Sequence, residues 1–194
     1  MIHLKKILVT LASLSLGCAS APPSEPPIIP SDRGETTVYI VRHAEKAAEN
    51  PSDPELSAIG FARADSLATQ LREAGINVII TTQLKRTVLT ARPLAKLRGI
   101  TPEIVPTSTP AHVDSVVAAV NRHPGATILV VGHSNTIGHI ARKLGGDPLG
   151  DLCDHEYSNL IIMSIPRGKT TKMLVETYGP PNPPADGSCV AMSR

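Results

Sequence analysis

Three short apolar runs, at residues 38–41, 78–81 and 128–131, constrain the fold more than any other feature of the sequence. Each is too short for a helix and has no polar face, so each reads as a strand buried on both sides. The stretches between them have helical period. Ser57 caps a helix to about residue 74, on which Leu67 and Leu71 stand four apart beside Ala64 and Ala68, and Gly75 ends it. Residues 86–97 are helical and end near Gly99, with Pro93 marking a kink or a late start. Residues 113–121 put Val113, Val116, Val117 and Val120 on one face, and residues 137–144 form a helix stopped by Gly145 and Gly146. Ile104 and Val105 suggest a short strand, and residues 160–165 and 172–177 two closing strands joined through Pro166, Arg167 and Gly168. Strands alternating with helices predict an α/β fold, a three-layer sandwich with a mainly parallel central sheet and helices on both faces. The domain is expected over residues 36–178, and the Pro/Gly-rich stretch 179–194 as a flexible tail.

Composition narrows the function. The aromatic fraction is 2%, with no Trp and one Phe, so the core must rest on aliphatic side chains, and base stacking on single-stranded nucleic acid is disfavoured. Of 19 basic residues, Lys5 and Lys6 lie in the leader, leaving 17 against 17 acidic residues. A domain that close to neutral is a poor partner for nucleic acid or a polyanionic membrane.

The N-terminus reads as an address. Residues 1–6 carry two lysines, residues 7–16 form an apolar run too short to span a bilayer, and Gly17 and Cys18 follow. This resembles a bacterial lipoprotein signal over residues 1–17, with Cys18 lipidated and residues 18–35 a Pro-rich linker. Ser15 and Leu16 depart from the commoner pattern. The resemblance implies a cell-envelope location, lipid-anchored on the periplasmic side, with no other membrane contact. The alternative is a soluble secreted product cut after Ala19-Ser20-Ala21, although Pro22 would follow that cut. In an exported chain Cys153 and Cys189 either pair or remain two thiols.

In sheets of this kind ligands bind beyond the carboxyl ends of the strands. Arg42 and His43 leave the first strand, Arg86 opens the helix after the second, and His133 leaves the fourth. Two guanidiniums and two imidazoles converging at one edge suit a tetrahedral dianion. Helix starts add backbone N–H donors, and Ser134 and Asn135 are expected caps of the helix after His133. An imidazole held among such donors can attack phosphorus.

These residues stand in blocks, Arg42-His43-Ala44-Glu45, Leu56-Ser57-Ala58-Ile59-Gly60, the Thr-rich segment around Arg86, and Gly132-His133. The ordered set resembles the histidine phosphatase superfamily, also called phosphoglycerate-mutase-like, over about residues 36–165. The resemblance implies that His43 is the nucleophile, that Arg42, Arg86 and His133 bind phosphate, and that no metal or organic cofactor is needed. It also implies a phosphorylated small molecule or a phosphoprotein as partner.

The sequence departs from the family at the general acid, because no Glu stands at a clear match between Arg86 and His133. Asp114, at the start of a helix, is the first choice among the candidates, although plain capping or dipole pairing is the better account of that residue. His112 is the second, and Glu45 and Glu156 are further candidates. Glu45 is also expected beside the pocket, behind its phosphate-binding residues. His123, His139 and His155 receive no role, and their spacing gives no metal motif. The expected function is a phosphatase hydrolysing a phosphomonoester through phospho-His43, outside the cytoplasm. The alternatives are a non-catalytic lipoprotein binding a phosphorylated envelope ligand, or a phosphomutase.

Overall fold

The computed structural model describes residues 34–168 and 170–185. The leader, Cys18, most of the linker, Cys189 and the end of the tail lie outside them. The element order is β1 (Glu35–Arg42), α1 (Ala58–Gln70), β2 (Val78–Thr81), α2 (Lys85–Arg98), β3 (Glu103–Ile104), α3 (His112–Asn121), β4 (Thr127–Gly132), α4 (Ile137–Lys143), β5 (Asn159–Pro166) and β6 (Lys172–Thr177). The strands form one sheet in the order β3-β2-β4-β1-β5-β6. The first four are mutually parallel, while β5 and β6 are antiparallel to their neighbours. The α/β sandwich read from the apolar runs is the observed fold.

Alternation along the strands divides the core between the two faces. Val38, Ile40, Ile128 and Val130 pack with Val116 and Val120 of α3 and Ile137 and Ile140 of α4. Val41, Leu129 and Val131 point the other way, onto Leu67 and Leu71 of the α1 region and Ala91 and Leu94 of α2. Helices of ten and seven residues, such as α3 and α4, are marginal alone in water. Burying one Ile or Leu stabilises by roughly 1.5–3 kcal/mol, so packing on the sheet holds them.

The boundaries differ from expectation in physically readable ways. Pro93 lies inside α2, which starts eight residues earlier, so the late start does not occur. Ser134 and Asn135 are not caps; α4 begins after Thr136, whose Oγ1 accepts from the His133 amide at 3.1 Å. The start of the expected loose tail is fastened. Asn182 Oδ1 accepts from the amides of Tyr157 and Ser158, each at 2.9 Å, and the Tyr178 and Pro181 carbonyls accept from Arg63. Backbone groups and a buried guanidinium in need of partners hold this segment despite its prolines.

Candidate active site

The sheet register creates the site. β1 and β4 are parallel neighbours with Arg42 opposite Gly132, and the His43 amide donates to the Gly132 carbonyl at 2.9 Å. The next residue on each chain, His43 and His133, therefore leaves the same edge side by side. Their rings lie edge to face with centroids 5.4 Å apart. Arg86 comes from the first turn of α2, which is fastened to the strand exit where Thr90 Oγ1 accepts the Ala44 amide at 2.9 Å. The start of that helix has no cap of its own, and Asp53 Oδ1 supplies one by accepting from the Lys85 amide.

His43 is almost fully buried, and its Nδ1 lies 2.8 Å from the Ala44 carbonyl. A carbonyl only accepts, so Nδ1 carries the proton and the Nε2 lone pair is free for attack. Burial, followed by the positive charge of Arg42 and the nearby His133 and Arg86, pushes His43 down to about 2 against the opposing pull of the Ala44 bond. His133 is lowered to about 4 by burial and then chiefly by Arg86. Both rings are neutral bases at physiological pH. Thr82 Oγ1 lies 3.3 Å from His133 Nε2 and 2.8 Å from Thr87 Oγ1, so a threonine just past β2, backed by one in the first turn of α2, orients this ring.

Arg42 is 2% exposed and is held by residues 111–114 positions later. Its Nη1 donates to the carbonyls of Cys153, Asp154 and Glu156 at 2.8, 3.1 and 3.1 Å, and its Nη2 reaches Asp154 Oδ1 at 3.3 Å. Its guanidinium also stacks 4.1 Å above the Tyr157 ring. The Nε atoms of Arg42 and Arg86 are buried without a hydrogen-bond partner among the described residues. Buried donors without acceptors are costly, and two cationic ones beside two imidazoles fit an oxyanion. A cleft of about 370 Å³ opens beside them, lined by Arg86, His133, His112, Thr107, Asn135 and Thr136 among others.

The carboxylates are spent elsewhere. Glu45 takes a bidentate bond from the fully buried Arg63 at 2.7–3.0 Å, so it is not a surface partner of Arg42. It fixes the turn behind the site rather than facing substrate. Glu156 Oε2 accepts from the Cys153 amide at 2.8 Å, shaping the loop that grips Arg42. Asp114 does not reach the cleft; it is exposed on α3 and paired with Lys143 of α4. The next residue along a helix points about 100° away, so at this helix start the cleft receives His112 and Val113 instead.

Sequence reasoning missed Tyr157, Arg63, Asp53 and the Thr82–Thr87 pair. Tyr157 carried a signal, as one of three tyrosines in a chain almost without aromatics, and the threonine pair lay in the Thr-rich segment around Arg86.

Comparison with known proteins fits this geometry. Residues 38–107 match the model of the histidine phosphatase superfamily (branch 1), a segment running from β1 to just past β3 and carrying Arg42, His43 and Arg86. The resemblance to that superfamily read from the sequence is thereby shown. The protein histidine phosphatase SixA complexed with tungstate has the same fold, with a TM-score of 0.59 at 20% identity over 73% of this chain and 96% of that one. A mycobacterial glucosyl-3-phosphoglycerate phosphatase aligns with a TM-score of 0.55 at 13% identity, covering 75% of this chain and 99% of its own. YhfR of Bacillus stearothermophilus aligns with a TM-score of 0.56 at 19% identity, covering 73% and 96%. No match to the sequence is found among curated proteins.

Proposed function

We propose that the protein is a phosphatase that hydrolyses a phosphomonoester through a phosphohistidine on His43, outside the cytoplasm. The observation that carries this reading is the His43 ring itself. Its Nδ1–H is committed to a backbone carbonyl, which leaves the Nε2 lone pair free, and the buried Arg42, the half-buried Arg86 and His133 are close enough for their charge to act on the ring. Arg42 and Arg86 would bind the phosphoryl oxygens and His133 the remaining one. His43 Nε2 would then attack phosphorus as the ester oxygen leaves, and water would cleave the P–N bond to release phosphate and regenerate the imidazole.

The similar structures point the same way through their names. One is a protein histidine phosphatase bound to tungstate, a tetrahedral oxyanion, and another a glucosyl-3-phosphoglycerate phosphatase. They agree on phosphoryl transfer and differ on substrate. The cleft offers one arginine among threonines and Asn135, which suits an ester with a neutral leaving group better than a polyanion. Export is supported by the Cys18 address and by Cys153, which is disulfide-bonded.

The test is hydrolysis of phosphorus-labelled para-nitrophenyl phosphate by the chain lacking residues 1–17, beside His43→Ala, with trapping of labelled protein by an alkaline detergent quench, which preserves the P–N bond. Wild-type turnover with label on His43, both lost in the variant, is the expected result. A folded wild type that binds phosphate and hydrolyses nothing would leave a phosphate-binding lipoprotein instead.

A further inference from the structure

We propose that His112 is the proton donor to the leaving oxygen, and the base that activates water in the second step. The inference rests on the phosphatase reading and assigns the one role that the carboxylates leave unfilled. Glu45 is locked to Arg63, Glu156 to the Cys153 amide and Asp114 to Lys143. None of these three lines the cleft beside His133, whereas His112 does.

His112 is the first residue of α3 and is 6% exposed. Its Nδ1 lies 2.9 Å from the Pro106 carbonyl and therefore donates to it. That bond fixes the ring plane and leaves Nε2 as the exchangeable site. Nε2 is buried and has no hydrogen-bond partner among the described residues. A purely structural imidazole gains nothing from a desolvated, unpaired nitrogen, which costs free energy unless something uses it. His112 lines the same cleft as His133 and Arg86, within reach of a group bound there.

The proton balance closes. In the first step His43 Nε2 bonds to phosphorus, the P–O bond to the alcohol breaks, and the imidazolium of His112 gives its Nε2 proton to the departing oxygen. In the second step neutral His112 takes a proton from water as the water oxygen bonds to phosphorus. The P–N bond breaks, and His43 leaves as a neutral imidazole. The sum is ester plus water giving alcohol plus phosphate, with both histidines restored.

Leaving-group chemistry separates this role from a structural one. His112→Asn keeps an N–H near the Nδ1 position for Pro106 and removes Nε2, whereas His112→Gln does the reverse with a group that cannot ionise. The readout is kcat/KM, which reports the first step, for glycerol phosphate and for para-nitrophenyl phosphate, whose leaving group needs no proton. We expect both variants to lose about 10²-fold more on the alkyl ester than on the aryl ester. Parallel losses on the two esters, or retained alkyl-ester activity in His112→Asn, would overturn the assignment while leaving the phosphatase reading intact. A folded wild type that hydrolyses neither ester would remove the phosphatase reading, and this assignment with it.

Discussion

Burying His43 and His133 as neutral bases couples the site to pH through the fold itself. Each is lowered from 6.5 when folded, His43 to about 2 and His133 to about 4. Between those values and 6.5 the unfolded chain binds more protons than the folded one. Stability is therefore whole above about pH 6.5 and is lost as the solution is acidified, by up to about 1.4 kcal/mol per pH unit for each ring. Urea midpoints at pH 7.5 and 5 should show this loss, and His133→Gln should make the slope shallower. Equal slopes in wild type and variant would mean that His133 is not held neutral by burial. At this scale the convergence of Arg42, His43, Arg86 and His133 was legible, because strand exits are visible in the sequence and the sheet rule brings them together. Arg63 was not, since an arginine on a helix of ordinary period looks solvated until its bidentate bond to Glu45 is seen.

Among the elements, α1 matters less for its own stability than for how closely it passes the turn that follows His43. A Cβ added at Gly60 would lie 2.3 Å from the Glu45 carbonyl oxygen, a backbone atom that cannot swing away. Gly60→Ala should cost about 1–3 kcal/mol and lower turnover by shifting the Ala44–Glu45 peptide. Gly150→Ala, where an added Cβ meets nothing within 4 Å, is the control in the same denaturation and rate assays. Similar losses in both would sink this account of the motif glycine. Element types were legible from period, but their ends were not. Thr136 displaced Ser134 and Asn135 as the start of α4 because its hydroxyl closes a turn onto the His133 amide, a choice among adjacent polar residues that pattern cannot rank. Asp114 stands away from the cleft for a related reason, since which way a first-turn residue faces depends on a docking angle the sequence does not contain.

For the whole molecule, the disulfide at Cys153 lies in the loop that grips Arg42, so the proposed export would tie the oxidation of that cysteine to the site. Full-length chain isolated from cells should carry Cys153 oxidised and resistant to maleimide. Chain lacking residues 1–17 and kept in the cytoplasm should carry it reduced, with stability lower by about 2–4 kcal/mol until it is oxidised. A reduced Cys153 in the exported protein, or identical stability in both forms, would break that link.

The grip on Arg42 has a consequence for the time at which the protein becomes competent. The arginine is among the first residues of the domain to emerge, yet its guanidinium is placed by carbonyls more than a hundred residues later. The loop that provides them is itself pinned by Asn182. Contacts of such long sequence separation close late in folding. Strands and His43 can be in place while the grip on Arg42 is still open, so the site is complete only once the segment around Asn182 has docked.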